Sequence, residues 1–150
     1  ARPGPRPGSW LSLRPVTADT EEAAWKRADE IVERVRELRE SAGLQTSGHA
    51  PGNAGSQRLL HTASQGYRLD KRLWTGVAAL GGAAGNSTGL VGTTEQVADA
   101  LLDYYDIGID HFLIRGFEPL DDAIAYGRDL IPLVREAVAA RGATGVAEVA

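Results

Sequence analysis

A glycine-rich turn is the part of this chain whose residue types best suit contact with a ligand. Residues 81–87 read Gly-Gly-Ala-Ala-Gly-Asn-Ser. Glycine lets the backbone approach a flat or anionic group closely and adopt positive φ angles. No Lys precedes the Ser, and the glycine spacing matches neither a Walker A loop nor a dinucleotide fingerprint. We interpret the turn as a ligand contact of another kind, with a tight packing turn as the alternative. Its candidate binding residues are Gly81, Gly82, Ala83, Gly85, Asn86 and Ser87.

Arg14 is the second candidate for contact with a ligand. Ser12 and Arg14 alternate with Leu11 and Leu13, so the two polar side chains share one face of a predicted strand. An inward-facing Arg is a buried charge unless it meets an anion or a carboxylate. Arg14 is therefore predicted to hold an anionic group, with Ser12 beside it. A structural ion pair is the alternative.

Arg115 and Phe117 follow a short predicted strand at His111–Arg115. In parallel α/β folds the chemistry gathers in the loops that follow the carboxyl ends of the strands. Phe117 is predicted to line an aromatic cofactor site and Arg115 to face its mouth. Packing of Phe117 beneath the last helix is the alternative.

Metal and thiol chemistry are not indicated. Cys is absent, which excludes disulfides, thiolate metal sites and a cysteine nucleophile. The three His residues do not cluster, and none has the spacing from carboxylates that metal sites show. His111 stands at the start of a strand and is predicted to be structural.

The elements that must position these residues alternate between strands and helices. The predicted strands are Trp10–Val16, Leu73–Leu80 and His111–Arg115, and the predicted helices are Thr20–Arg39, Gln57–Ser64, one beginning at Thr93 with a Thr-x-x-Gln capping box, and Leu120–Ala140 with a kink at Pro132. Residues 1–9 are predicted to be a flexible lead, 10–140 a domain with a loop insertion at 40–72, and 141–150 a tail.

Three strands that are each followed by a helix predict a parallel α/β arrangement. Three strands with two unpaired edges are an incomplete sheet, so we expect the last three β/α units of a (β/α)8 barrel. The absence of Met supports the expectation that the chain is part of a longer protein.

Charge and hydropathy exclude several classes of partner. The formal net charge is −4 and there is no basic cluster, so neither nucleic acid nor an anionic membrane is an expected partner. No apolar stretch approaches the ~20 residues of a spanning helix. The N-terminus lacks the apolar core of a signal peptide, and the expected compartment is the cytoplasm.

Four segments, in order, resemble the C-terminal part of bacterial-luciferase-like flavin monooxygenases. They are Leu73–Val77, the turn at 81–87, Leu90–Gly92 and Tyr105–Phe117, and the resemblance extends from about Leu11 to Val138. The alkanesulfonate monooxygenase branch is the most similar. The resemblance implies a (β/α)8 barrel that uses O2 and reduced FMN, supplied by a separate flavin reductase, to oxygenate a small organic substrate.

The resemblance also implies roles for the candidate residues. Arg14 and Phe117 would be catalytic, and Ser12, Arg115 and the glycine-rich turn would contact the cofactor. Segment 40–72 matches a mobile insertion that closes over the flavin and excludes water, with Arg68 as a closing contact. The FMN phosphate would bind upstream of the matched section, and the full-length protein is expected to be a homo-oligomer.

Four positions differ from the alkanesulfonate branch. Ser12 and Arg14 stand where that branch has Arg and His, Leu80 or Gly81 where it has Arg, and Phe117 where it has Tyr. The resemblance therefore implies flavin-dependent oxidation more directly than a sulfonate substrate. Two alternatives stay open: a flavin or deazaflavin oxidoreductase that works by hydride transfer, and a truncated product without activity. The fragment alone is expected to be inactive.

Overall fold

The computed structural model describes residues 8–44, 52–81, 83 and 87–147, with the backbone alone for 142–147. Its strands are β1 (Trp10–Thr17), β2 (Arg68–Leu69), β3 (Leu73–Trp74), β4 (Gly89–Gly92) and β5 (His111–Ile114). Its helices are α1 (Glu21–Ser41), α2 (Ala54–Ser64), α3 (Gly76–Gly81), α4 (Thr94–Asp106), α5 (Pro119–Ala125) and α6 (Ile131–Ala147), with a π-helical turn at Tyr126–Leu130.

The five strands form one sheet in the order β2-β3-β4-β1-β5. β1 runs parallel to both β4 and β5, whereas the β2–β3 and β3–β4 pairs are antiparallel. The predicted α/β class with parallel strands is confirmed for β1, β4 and β5, whereas the predicted strand at Leu73–Leu80 contributes only β3, which is antiparallel. β5 pairs with the first half of β1, up to Leu13↔Ile114, and β4 pairs with the second half, from Arg14↔Gly89 onward.

Helices cover both faces of this sheet. Leu13 and Leu90 pack with α4, the π-helical turn and α6 in one hydrophobic cluster. Val16 and Val91 pack with α1 in a second cluster. Because neighbouring residues of a strand point to opposite faces, Leu90 and Val91 place these clusters on opposite sides of the sheet.

The strand order differs in two respects from that of consecutive strands in a (β/α)8 barrel, so the predicted barrel is not confirmed. β4 and β5 are successive parallel strands in the chain, yet they lie on opposite sides of β1. A barrel places successive strands side by side and all its helices outside. Here the chain passes from β1 to β4 on one side of β1 and then to β5 on its other side. This change of direction places α1 and α4 on opposite faces of the sheet. This chain is therefore an open mixed sheet between two helical layers.

The predicted strand at Leu73–Leu80 is wrong beyond its second residue. Only Leu73 and Trp74 are extended, and α3 occupies Gly76–Gly81. A short apolar run is compatible with a strand or a helix, and this one contains Ala78, Ala79 and Leu80, which favour helix.

β4 is a buried strand that the sequence did not reveal. Its four residues are Gly-Leu-Val-Gly, and they are all buried. A Cβ atom at Gly89 would lie 2.8 Å from the Arg14 carbonyl oxygen and 2.8 Å from the Trp74 ring. Glycine in a strand often marks such a close approach. The sequence signal that could have revealed β4 is the apolar pair Leu90-Val91, which lies just before the capping box that begins at Thr93.

The helix starts agree closely with the sequence. Thr20 caps α1, and its hydroxyl accepts from the Ala23 N–H at 3.1 Å. Thr93 and Gln96 form the predicted capping box of α4, with both reciprocal hydrogen bonds present. These caps satisfy N–H groups that have no partner inside the helix.

β1 continues through Pro15 to Thr17, although a proline has no backbone N–H to donate to a neighbouring strand. The Leu13 carbonyl accepts from Arg115 on the β5 side, whereas the Arg14 N–H donates to Thr88 on the β4 side. The nitrogen of Pro15 therefore faces the side where β5 has already ended, so its missing N–H interrupts no ladder. The Tyr126 hydroxyl donates to the Pro15 carbonyl at 2.5 Å.

The last helix is divided by the π-helical turn. Pro132 was predicted to kink it, and the wider turn ends directly before α6, where the Ile131 N–H reaches the Tyr126 carbonyl. A proline cannot donate to the residue four positions earlier, so the π geometry accommodates it. α6 continues to Ala147, so the predicted tail at 141–150 is helical over most of its length.

The insertion at 40–72 contains α2 and β2. α2 confirms and extends the short helix predicted at Gln57–Ser64, and β2 was not expected. Residues 45–51 of the insertion, and residues 1–7 of the predicted lead, lie outside the described residues. Within the described residues, no helix is long and apolar enough to cross a membrane.

We predict that Tyr126→Phe lowers the free energy of unfolding by about 1–3 kcal/mol, because it leaves the buried Pro15 carbonyl without its donor. Urea denaturation of the chain measures this change. Tyr105→Phe is the matched control, since its hydroxyl makes no hydrogen bond with the described residues; an equal loss in both variants would contradict the assignment.

Candidate functional site

Arg14 lies where β1 changes from one neighbouring strand to the other. Leu13 is the last β1 residue paired with β5, and Arg14 is the first paired with β4. The Arg14 N–H donates to the Thr88 carbonyl at 2.9 Å. Strand alternation puts its side chain on the face of Ser12 and Val16, as predicted.

The Arg14 guanidinium is held by the loop that follows β5. Its Nη1 donates to the Gly116 carbonyl at 2.8 Å, and its Cζ lies 4.9 Å from the centre of the Phe117 ring. Such a cation–π contact stabilises by roughly 0.5–2 kcal/mol, depending on burial. Partial burial lowers the pKa of Arg14, and the neighbouring Arg115 guanidinium lowers it further. Arg side chains stay protonated in proteins, so Arg14 supplies a fixed positive charge.

Trp74 completes the group behind Phe117. The two rings meet edge to face, with centroids 5.8 Å apart, and Trp74 is fully buried. We call Arg14, Trp74, Gly116 and Phe117 the Arg14 cluster. The Phe117 ring packs against the hydrophobic cluster of α1 instead of beneath the last helix, and it also contacts the Arg14 guanidinium.

Two buried polar atoms near the start of β3 and β4 lack partners. Among the described residues, the Trp74 Nε1 and the Ser87 Oγ are the buried side-chain polar atoms without a hydrogen bond. Leaving a buried donor unsatisfied costs about 1–3 kcal/mol, and such groups call for an explanation, for example a ligand. Ser87 is only 4% exposed and immediately precedes Thr88, the backbone partner of Arg14.

Ser12 and Arg115 lie on either side of Arg14. Ser12 is half-buried and pairs in register with Leu113. The Arg115 side chain is exposed, and its N–H donates to the Leu13 carbonyl at 3.1 Å. The structure thus brings four of the predicted residues together, namely Ser12, Arg14, Arg115 and Phe117.

The glycine-rich turn has a different position from the one predicted. It joins α3 to the amino end of β4, rather than following the carboxyl end of a strand. Its last residues still come beside Arg14, because β4 begins at the middle of β1. Gly81 ends α3, and Ala83 adopts the positive φ of 57° that was expected of a glycine. Gly82, Gly85 and Asn86 lie outside the described residues.

A polar network covers the carboxyl end of β4, where chemistry was expected. The Glu21 carboxylate accepts from Arg72 at 2.6 Å and from Gln96 at 2.9 Å. A Cβ atom at Gly92 would lie 2.8 Å from the Gln96 Oε1 and 3.3 Å from the Arg72 Cδ. The end of β5, with the Arg14 cluster, is therefore the better candidate for a binding site.

Arg68 is not brought to the Arg14 cluster. Its Cζ lies 4.2 Å from the Trp25 ring centre on the outer side of α1, and its guanidinium pairs with Asp29 at 3.3 Å. These contacts attach the insertion to α1, and the closing contact assigned to Arg68 stays a prediction.

The histidines agree with a structural interpretation. His111 stacks on Trp10 with centroids 4.2 Å apart, and its Nδ1 lies 2.7 Å from Asp110. His61 is on α2, and His49 lies outside the described residues. No group of three potential ligands that could hold a metal occurs among the described residues.

The sequence did not reveal the buried ion pair behind the loop that follows β5. Asp122 is 3% exposed, and its Oδ1 accepts a hydrogen bond from the Arg27 Nη2 at 2.6 Å. Its partner is 95 positions away, and no local pattern in the sequence connects the two residues.

Comparison with known families places most of this chain in one of them. A family model described as luciferase-like monooxygenase matches residues 1–111 of the 150 residues. The match includes β1 to α4 and therefore Arg14, Trp74 and the glycine-rich turn, whereas Phe117 lies beyond it. It confirms the family resemblance without distinguishing the branches within the family.

Hydrogen bonds from Arg72, and then from Gln96, lower the pKa of Glu21 from its ordinary 4.5 to about 2. The carboxylate therefore stabilises the fold above pH 4.5, and this contribution is lost as the pH falls towards about 2. We predict that Glu21→Gln destabilises the chain at neutral pH and that the difference from wild type shrinks across this interval. Chemical denaturation at a series of pH values measures it.

The control for this pH series is Glu22→Gln, which removes the neighbouring carboxylate. Glu22 makes no ion pair with the described residues, so its variant should follow the wild-type pH dependence. A constant difference between wild type and Glu21→Gln over the whole interval would show that the hydrogen bonds to Glu21 do not shift its titration.

Proposed function

The chain belongs to the luciferase-like monooxygenase family, and from this membership we propose that it is the C-terminal portion of an O2-using monooxygenase dependent on reduced FMN. The single observation that carries the site is the Arg14 cluster, in which a fixed positive charge lies against an aromatic ring at the end of β5. FMN would reach the enzyme from a separate flavin reductase, and the complete enzyme would be a homo-oligomer.

The residues present fit the ring system of a flavin. A flavin has hydrogen-bond acceptors along one edge and broad apolar faces. Ser87 offers a buried hydroxyl without a partner in the described structure, and Arg14 offers a guanidinium beside the Phe117 ring. We infer that Ser87 and Arg14 would hold the polar edge, that Phe117 would line the apolar side, and that Ser12 and Arg115 would lie at the margin. Residues outside the 150-residue chain would hold the FMN phosphate.

When bound, reduced FMN would supply two electrons to O2, so that one oxygen atom enters the substrate and the other leaves as water. The role of this chain is then to bind, orient and keep water away. Arg14 would stabilise negative charge on the ring or on the substrate, and the Phe117 and Trp74 rings would exclude water from one side.

An anionic organic substrate, such as an alkanesulfonate, is the finer part of the proposal. Two guanidinium groups, those of Arg14 and Arg115, are close enough that the second lowers the pKa of the first. A sulfonate would relieve this repulsion. The substitutions relative to the alkanesulfonate branch, at Ser12, Arg14 and Phe117, mean that its contacts would differ from those of that branch.

A closed (β/α)8 barrel in the complete protein requires a different strand pairing. In a barrel β4 would lie between β1 and β5, whereas here β1 pairs directly with both. The uncovered face at the start of β1 and β5, with Trp10 70% exposed and Leu113 50% exposed, supports the proposal that further structure packs there.

The strand pairing gives a direct test of the barrel. Ser12 and Leu113 are register partners, so Ser12→Cys with Leu113→Cys should form a disulfide in the 150-residue chain under mild oxidation. In a closed barrel the two strands would be two spacings apart, about 10 Å, beyond the ~7 Å limit for a disulfide. Thiol titration, with the single-Cys variants as controls, distinguishes the two; a disulfide in the full-length protein would argue against closure.

The role of Arg14 is tested in the full-length protein. We predict that Arg14→Ala weakens reduced-FMN binding about tenfold or more, because it removes a charge-assisted hydrogen bond. Anaerobic titration followed by flavin absorbance measures this affinity. Arg128→Ala is the control, since that side chain is 72% exposed and pairs with the adjacent Asp129. Unchanged affinity and turnover in Arg14→Ala would show that this role is wrong.

Oxygen consumption separates the proposed reaction from hydride transfer. Reduced FMN, the full-length enzyme and a short alkanesulfonate should consume O2 and release sulfite, whereas a hydride-transfer enzyme would reduce its substrate without O2. The 150-residue chain alone should show neither activity, because the phosphate site would lie elsewhere.

A further inference from the structure

We propose that Asp122 and Arg27 are the positioning residues of the Arg14 cluster. Their buried ion pair fixes the loop 115–118, and so it sets where the Gly116 carbonyl and the Phe117 ring meet Arg14. This inference rests on the proposed function, because it gives the pair a part in preparing the ligand site.

Asp122 holds the loop through two backbone hydrogen bonds. Its Oδ2 accepts from the N–H groups of Phe117 at 2.8 Å and of Glu118 at 2.9 Å. An ionised carboxylate makes stronger hydrogen bonds to such donors than a neutral acceptor does. Both bonds lie directly beside the residue whose ring contacts Arg14.

Arg27 neutralises this carboxylate and connects it to the sheet. Its Nη2 lies 2.6 Å from the Asp122 Oδ1, and its Nη1 donates to the Thr17 carbonyl at 3.1 Å. A buried carboxylate without its partner would be strongly destabilising. One guanidinium therefore ties α1, the end of β1 and the start of α5 to the same point.

Gly116 shows how closely Asp122 fits against the loop. A Cβ atom at Gly116 would lie 2.2 Å from the Cβ of Asp122 and 2.3 Å from its Oδ2. No side chain fits in this space, so the backbone of the loop rests directly on the aspartate. The Gly116 carbonyl on this backbone is the acceptor of Arg14.

The neighbouring surface pair cannot provide the same fixation. Arg34 and Glu118 meet at 2.6 Å, but their side chains are 68% and 51% exposed. Exposed pairs contribute little because water competes for both charges. The buried pair is therefore the contact that determines the position of Phe117.

The test is a set of 1H–15N NMR spectra of the 150-residue chain, which need no ligand. The probes are the Arg14 Nε–H and the Trp74 Nε1–H signals, which sense the Phe117 ring. Asp122→Asn exchanges one acceptor oxygen for an NH2 group, so either the Arg27 contact or both backbone hydrogen bonds must be lost. We expect it to shift both signals in the direction that Phe117→Leu shifts them. Asp121→Asn, an equal change at the exposed neighbouring residue, should leave them in place.

Hydrogen exchange of the wild-type chain keeps the proposal testable if Asp122→Asn does not fold. The amides of Phe117 and Glu118 should be protected although Glu118 is at the surface, since their acceptor is the buried carboxylate. Exchange at unprotected rates would overturn the proposal. Unmoved Arg14 and Trp74 signals in a folded Asp122→Asn would overturn it as well.

A second arm uses the full-length protein and reduced FMN. We expect Asp122→Asn to weaken binding roughly tenfold, while Asp121→Asn stays within about twofold of wild type. If the wild-type protein does not bind reduced FMN, the proposed function fails, and the ligand-free spectra still decide whether Asp122 positions the loop. Equal affinities of wild type and Asp122→Asn would contradict the positioning role alone.

Discussion

The division of β1 between two partners is the constraint on which this structure depends. β5 is hydrogen-bonded to its first half and β4 to its second, with the change between Leu13 and Arg14. Because β5 stops there, the chain that follows can fold across the end of its own strand and cover the Arg14 side chain. The same stop leaves the Pro15 nitrogen facing no strand. The change from β5 to β4 as the neighbour of β1 therefore accommodates both Arg14 and Pro15.

The two polar networks of the sheet have different physical roles. Asp122 is buried, so its charge requires Arg27, whose own side chain is 31% exposed, and the loss of Arg27 leaves the carboxylate uncompensated in a poorly solvated place. Glu21 is half-exposed, so its contacts with Arg72 are weakened by water and matter mainly for local order and acid response. The buried pair therefore suits fixation of the candidate site, and the exposed one suits attachment of the insertion.

What the sequence reveals depends on how local each interaction is. The starts of α1 and α4 could be predicted because Thr20 and Thr93 cap residues only three positions away. The apolar run after Leu73 was ambiguous, since neither its length nor its pattern separates strand from helix. Arg14 was found by asking what a buried guanidinium needs. The ion pair of Asp122 and the order of the strands could not be predicted, because both are set by partners far along the chain.

The π-helical turn at Tyr126–Leu130 sets the register of the C-terminal helix. A π turn contains one residue more than the α-helical path it replaces. Since each residue advances an α-helix by about 100°, this extra residue rotates all of α6 relative to α5 by that angle. The rotation lets Tyr126 and Leu130 be buried before the turn ends, with Ile131 and Val134 packed against the same cluster after it. The number of residues in this short segment, more than their identity, decides which side of α6 faces the sheet.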